Sequence, residues 1–523
     1  MPIQEKSITV NKIGGANMSR LDQVLNLVRV LREKGENPIL VVSAFKGVTD
    51  HLIQALDQLD GKDYDEAAIR EAFKKAFDIV TEKIDEFIKT EDRKSQAREH
   101  VQKEMDICIQ TLLTHKQITT ALAPDSKTYE VRDKIIAFGE RSAVGVLEAY
   151  LQENEVTAKA INDVAYKGNG EAAGTKVSKR ELHRGIQRGI AEALSPEIGE
   201  VDQRILIIGG HVKDVLRGMI PEIGRSYTDT TAVDTTLAIE RILRRPVDAT
   251  IAWKEVSGIL SADPKQLDPT VNTPRVHHDV SLREAIEFAG SGSEVMQLDA
   301  LSLALTEEVS LALKDIKNPE AEGTTFSIGE SRSEFPFKVV RFNKNVDIVS
   351  FTIPEMEMTP GFVAELAQPF KEQGISINDI LTAGTSISLT INLPTGDAEK
   401  TELRRRIRKT IARLRSIKLG EEVYECNPQW DKSKANVVVI GDELKGAAGI
   451  LSIISGVLAA HRISIEGITH DSEQRKISLY VDKKNATKAV QALHRVFIDK
   501  DEEYAKEIAG KIQDVMNSFL QSN

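Results

Sequence analysis

Cysteine is almost missing: the 523 residues hold two, Cys108 and Cys426, far apart and without metal-ligand neighbours. That usage suits a reducing cytoplasm and leaves no disulfide framework to read. Long apolar runs are missing too. None approaches the roughly 20 residues that span a bilayer, and the N-terminus lacks the apolar core of a signal peptide. Excess positive charge is absent as well, since a net charge of −11 argues against a nucleic-acid partner. What remains is ordinary globular composition, 41% apolar and 28% charged, in a length that suits three or four domains. The expectation is a cytoplasmic, multidomain chain with no membrane partner.

Over the first 300 residues, apolar runs such as "ILVVSAF" (39–45), "RILIIGG" (204–210) and "VDATIAWK" (247–254) alternate with longer helical patterns. Continuous apolar strands separated by helices predict a mainly parallel sheet covered on both faces. Between about 63 and 115, Phe73, Phe77, Val80, Ile84, Phe87 and Ile88 recur at helical spacing without glycine or proline, which predicts a helical insertion. From 309 the pattern changes to a linker strand, then two units that each read strand–helix–strand–strand–helix. They run from "VDIVSFTI" (346–353) and from "ANVVVIG" (435–441), and that order is ferredoxin-like, βαββαβ. In the basic run 404–418, Leu403, Ile407, Ile411 and Leu414 keep helical spacing, so its arginines form a solvated outer face. The expected division is 1–308, 309–432, 433–499 and a helical tail, 500–523.

Five segments of the first domain carry chemistry. "NKIGG" places Lys12, Gly14 and Gly15 where a strand turns into a helix. Bare backbone and a lysine suit a phosphate there, although Gly-Gly also serves plain turns. "VVSAFKGVTD" (41–50) puts Ser43 and Thr49 after the next strand. "FGERSA" (138–143) opens a helix with Glu140 and Arg141. "IGRSYTDTTAV" (223–233) turns at glycine, then sends Arg225, Ser226, Tyr227, Thr228 and Asp229 into a helix. "WKEVSGILSADP" (253–264) is the fifth. Ligands of open α/β sheets sit at the carboxyl ends of strands, where these segments are expected. His277 and His278 have no third donor at metal spacing, so no protein metal site is expected.

These segments, in this order and over nearly the whole chain, resemble the aspartokinase patterns K-F-G-G-T-S, V-V-S-A-x-x-G-V-T-D, G-E-R, G-R-G-x-[ST]-D and W-[TK]-[DE]-V-D-G. The resemblance implies an amino-acid-kinase fold followed by two ACT domains. It also implies phosphoryl transfer from ATP with Mg2+ to the side-chain carboxylate of L-aspartate, which opens the route to lysine, threonine, methionine and isoleucine. A carboxylate nucleophile is already ionised at neutral pH, so the site needs charge cancellation rather than a base. Lys12, Gly14 and Gly15 suit that task. Asp229 is then expected to orient Lys12 or to hold the substrate ammonium. Arg225 can clasp the α-carboxylate at two points. By resemblance, Thr49, Glu140 and Thr228 complete the aspartate pocket, and Lys254, Glu255, Leu260, Asp263 and Lys265 fall in the nucleotide loop.

The chain departs from the pattern at several places. Ala16-Asn17 stands for Thr-Ser, Ser226 for the second glycine of G-R-G, His211 for an aromatic residue, and Gln297-Leu298 for His-Pro. Glu294 stands where some relatives have lysine, a cation that Lys254 would then supply. A second reading follows, a catalytically weakened paralogue that senses amino acids. ACT units commonly pair and bind amino acids at the joint, which implies a homo-oligomer and an effector site at Met358, Gly361, Phe362 and Asn378. Asn378 and Gly384 replace acidic residues of lysine-sensitive relatives, so threonine, or no effector, is expected over lysine. No fused homoserine dehydrogenase is expected.

Overall fold

The computed structural model describes residues 7–57, 66–119, 128–172, 174–293, 295–353, 360–419, 421–470 and 473–521. They divide into two compact units. The first comprises Met1–Ile259, His278–Ile286 and Glu294–Gly329; the second comprises Leu260–His277, Glu287–Ser293 and Glu330–Asn523.

The first unit is built on an eight-stranded sheet. Strands β1 (Ser7–Ile13), β2 (Glu36–Val42), β3 (Ala158–Ile161), β4 (Ile205–Gly209) and β5 (Ala249–Lys254) run parallel in the order β3-β4-β2-β1-β5. Leu311–Asp315 continues parallel to β5, Thr324–Ser327 lies antiparallel to it, and Asp279–Ser281 closes the edge. The strand expected to begin the linker at 309 is therefore part of this sheet, which extends past 308. Six of seven residues are buried in both β1 and β2, as a sheet covered on two faces requires. Helix Leu21–Glu33 buries Leu21, Val24, Leu25, Val28 and Leu31 along one stripe.

Helix Tyr227–Leu243 is polar in sequence yet buried throughout residues 227–239. Its hydroxyls make that possible. Thr231, Thr235 and Thr236 each donate to the carbonyl four residues back, and Thr236 also meets the Thr250 hydroxyl at 2.5 Å. The insertion consists of helices Glu66–Phe87 and Glu91–Thr119. Phe73, Val80, Ile84 and Ile88 are buried, whereas Phe77 and Phe87 are half-buried. The second helix grips the "GER" segment: His100 Nε2 lies 2.9 Å from the Arg141 carbonyl, and Glu104 pairs with the Arg141 guanidinium at 2.9 Å.

The second unit holds two four-stranded antiparallel sheets. Ile380–Ala383, Ser386–Asn392, Val346–Thr352 and Asn427–Asp431 form one, in that order. Val339–Asn343, Lys434–Ile440, Lys476–Asp482 and Gly467–His470 form the other. The two modules are not successive, as their order in the sequence suggests: the strand Val339–Asn343 precedes the first module but pairs into the second, so the first is an insertion within the second. Smaller shifts also occur. The strand expected over 375–380 forms at Ile380–Ala383, and the helix expected to reach 418 stops at Arg413. Its basic face is solvated, with Arg404 clasping the buried Asp347 at 2.8 and 3.0 Å. A terminal helix, Glu502–Gln521, packs Tyr504 and Ile508 into the core of the second sheet. Among the described residues, no helix is long and apolar enough to cross a membrane.

Helix Lys179–Leu194 meets the chain at Ala165–Tyr166 through two glycines. A Cβ at Gly189 would fall 1.8 Å from the Ala165 carbonyl oxygen, where only backbone movement could make room. Gly189→Ala is expected to destabilise the protein by about 1–3 kcal/mol, the usual cost of overpacking, despite its better helix propensity. Urea unfolding checks this; an equal or raised midpoint would contradict it.

Candidate active site

At the carboxyl end of β1 the chain turns at Gly14 into the short helix Gly15–Met18. A Cβ at Gly15 would sit 2.7 Å from the Ala44 carbonyl oxygen, so only glycine lets this turn lie against the end of β2. Gly14 lies beside the Lys12 ammonium, 3.4 Å from where its own Cβ would stand. Lys12 is buried and points at Asp229, with Nζ 2.6 Å from Oδ1. Lys254, the last residue of β5, approaches the other carboxylate oxygen at 3.7 Å, and the Gln297 N–H donates to it at 3.1 Å.

Two lysines thus converge on one carboxylate. Burial alone would raise the Asp229 carboxyl, but the charges of Lys12 and Lys254 and the hydrogen bonds hold it below its usual range. Lys254 pays the opposite penalty: burial and the charge of Lys12 bring its ammonium down to about 8. Asp229 is therefore a fixed anion rather than an available base.

Glu140 stands in the first turn of helix Phe138–Glu153. This segment follows no strand; its first turn packs beside Gly209 at the end of β4, where a Cβ would lie 3.3 Å from that of Glu140. Gly139 brings the same turn against Ala44 and Thr49. Oε1 of Glu140 accepts from the Tyr227 hydroxyl at 2.8 Å, whereas Oε2 is buried without a hydrogen-bond partner among the described residues. Burial raises this carboxyl, offset only in part by the charge of His211, the Tyr227 hydrogen bond and the nearby backbone N–H groups of Glu140 and Ala44. Thr228 is buried with its hydroxyl against Gly210, whose Cβ would come within 2.4 Å of it. Arg225 lies at the exposed rim, 2.5 Å from Asp50.

Of the residues named from sequence, the structure brings Lys12, Gly14, Asp229 and Lys254 together, and separately sets Thr49 beside Gly139, the residue before Glu140. Glu255 pairs with Lys317 at 3.4 Å. Leu260, Asp263 and Lys265 belong to the second unit, where Asp263 caps the turn Pro264–Gln266. There too, Gly361 caps helix Phe362–Glu372 in a left-handed conformation, Phe362 is a core residue, and the Asn378 side chain accepts from the Asn392 N–H at 2.7 Å. Met358 and Glu294 lie outside the described residues. The departures have structural work. Asn17 donates to the Trp253 carbonyl at 2.9 Å, tying the glycine turn to β5. Gln297 caps helix Leu298–Thr306, donates to the Ile223 carbonyl and accepts from Thr230. Asp133 stands in none of the five segments; Asp50 and Tyr227 stand in two of them, where nothing marks Asp50 as the partner of Arg225 or the Tyr227 hydroxyl as that of Glu140.

The chain belongs to the amino acid kinase family, whose profile matches residues 7–312. The ACT domain profile matches residues 437–497. Among curated relatives, aspartate kinase FUB3 of Gibberella moniliformis is 23% identical, over 95% of this chain and 99% of that protein. Aspartokinase 1, chloroplastic, of Arabidopsis thaliana is 25% identical over 95% of this chain and 81% of its own length. In fold, the chain is similar to E. coli aspartokinase III in complex with lysine and aspartate. The TM-score is 0.68 at 19% identity, covering 94% of this chain and 99% of that one.

His211 supplies a pH-sensitive contact beside this site, with Nε2 3.0 Å from Asp133 Oδ1. Burial lowers the imidazole, but the charge and hydrogen bond of Asp133, with the charge of Glu140, outweigh it and raise the pKa. A group raised on folding contributes stability that is complete below its unfolded value, about 6.5, and fades as pH rises through the folded value. Asp133→Asn removes the partner charge. Its stability deficit in urea unfolding is expected to be largest below about pH 6.5 and to shrink as pH rises above that. A deficit that grows with pH would contradict this assignment.

Proposed function

We propose that this protein is an aspartate kinase, which transfers the γ-phosphoryl group of ATP to the side-chain carboxylate of L-aspartate and forms 4-phospho-L-aspartate. The observation that carries this reading is the convergence of Lys12 and Lys254 on Asp229 at the ends of β1 and β5. Two ammonium groups against one carboxylate leave a net positive charge for an anion. A β-carboxylate oxygen attacks the γ-phosphorus, the bond to the β-phosphate oxygen breaks, and ADP leaves with the electron pair. No proton need move. The task is to let two anions meet and to support the charge on the transferred group, which Lys12, Lys254 and the bare backbone at Gly14 and Gly15 are placed to do. The unpartnered Oε2 of Glu140 suits the substrate ammonium, with Thr49 and Thr228 beside it. Arg225 suits the α-carboxylate, which would replace or share Asp50.

Among the described residues, no cluster of three or more His, Cys, Asp or Glu side chains could hold a metal ion, and both Asp229 oxygens are engaged. These residues fit Mg2+ carried on the nucleotide phosphates rather than in a protein cage, which is how this ion commonly binds. In the same reading Glu255 contacts the nucleotide. The catalytic domain is built on the eight-stranded sheet, whose strands reach Ser327, and two ACT modules follow, the first inserted within the second, with Glu502–Gln521 packed on the second. Homo-oligomer assembly runs through 346–497, and an amino-acid effector binds near Gly361, Phe362 and Asn378. The protein works in the cytoplasm. Nothing favours the weakened-paralogue reading, since Asn17 and Gln297 have structural roles.

Two variants separate the roles. Lys12→Ala is expected to lower kcat by roughly 10²–10³ with a smaller change in KM, because its charge acts chiefly in the transition state. Arg225→Ala is expected to raise KM for aspartate, leaving KM for ATP unchanged and kcat little reduced, because the α-carboxylate is held equally throughout. Unchanged kcat in the first, or lost ATP affinity in the second, would overturn the assignment.

A further inference from the structure

Helix Lys179–Leu194 presents Arg180, Arg184 and Arg188 one turn apart on its exposed side. Arg241, in the last turn of helix Tyr227–Leu243, faces the same hollow, which has a volume of about 480 Å³. Four guanidinium groups from two helices therefore line one concavity. Arg188 is held in place by donating to the Asn169 side chain at 2.8 Å. Among the described residues, the guanidinium groups of Arg180, Arg184 and Arg241 have neither a hydrogen-bond acceptor nor a carboxylate partner. The carboxylate that lines the hollow, Glu181, is engaged by the Asn169 amide at 2.7 Å.

Like charges a turn apart repel, and an exposed helix face ordinarily intersperses acids among its arginines. Here the chain carries a net charge of −11, so the concentration is local and does not follow from composition. Each guanidinium is a planar fork that meets a phosphate through two parallel hydrogen bonds. Cβ atoms one turn apart are about 5–6 Å from each other, a spacing that suits charges spread along a ligand rather than one compact ion. A hollow of about 480 Å³ also exceeds what a single phosphate fills and lies in the range of small-molecule pockets. The hollow shares no residue with the kinase site.

We infer that this arginine-lined hollow is a binding site for a small anion carrying two or more phosphate groups. The test is titration calorimetry of the full chain with tripolyphosphate in magnesium-free buffer, on the unaltered protein, Lys12→Ala, and Arg184→Glu/Arg241→Glu. Tripolyphosphate is expected to bind the unaltered protein and Lys12→Ala at this site, and the double arginine variant is expected to lose at least about tenfold in affinity there. Arg184→Lys/Arg241→Lys, which keeps charge but loses the forks, should lose severalfold with an unchanged unfolding midpoint. Equal affinity in the Glu double variant would overturn the site. Citrate binding more tightly than tripolyphosphate would overturn the phosphate assignment, and a DNA oligomer doing so would overturn the small ligand. Loss of kinase activity in Lys12→Ala with this binding intact keeps the two proposals separate.

Discussion

The carboxylate of Asp229, buried between two lysine ammonium groups, is the interaction on which the first unit's chemistry turns. A buried ion is costly unless paired and hydrogen-bonded; here the two lysines and the Gln297 N–H offset the burial of Asp229, whereas Asp229 offsets that of Lys254 only in part. The pairing needs three chain segments at fixed distances: the end of β1 for Lys12, the end of β5 for Lys254, and the first turn of helix Tyr227–Leu243 for Asp229. β1 and β5 are adjacent parallel strands with Lys12 opposite Ala252, so Lys254, two residues further on, projects from the same face of the sheet just past the end of β1. The two-to-one stoichiometry leaves positive charge unspent, and this surplus is what an anionic ligand would meet.

Holding Asp229 there shapes its helix. The threonine-rich run can be buried because its hydroxyls return to the helix's own carbonyls. Further along, Asp234 is gripped by His183 at 3.0 Å and Gln187 at 2.7 Å, both from helix Lys179–Leu194. Gln297 fixes the other side by joining Asp229, Ile223 and Thr230 through one residue. Asn17 does the same for the glycine turn. These contacts are rigid, buried supports for the charged cluster, which is what preorganisation requires.

The strand ends and their motifs were legible because each is local: a short apolar strand, a glycine turn, then a charged or hydroxyl residue entering a helix. The placement of Lys12 against Asp229 followed from that, with Lys254 expected as a second cation. The pairs that were not legible span long separations, such as Arg225 with Asp50, 175 residues apart, and His211 with Asp133, 78 apart. No periodicity reports such contacts. The nested module was hidden for a related reason, since the five residues of Val339–Asn343 carry no mark of the sheet they join. Ser226 read as a lost glycine, and the structure places it at φ 66°, the left-handed conformation that favours glycine. Asn17 and Gln297 read as losses because a motif records what is missing and not what a replacement bonds.

The central claim is that the surplus positive charge around Asp229 serves transfer of a phosphoryl group to a carboxylate of aspartate. Incubating the purified chain with ATP, Mg2+, L-aspartate and hydroxylamine tests it most directly, because hydroxylamine converts an acyl phosphate to a coloured hydroxamate. The account predicts hydroxamate that depends on both ATP and L-aspartate, with far less from L-glutamate. ATP binding without hydroxamate from aspartate, or preferential formation from glutamate, would contradict it.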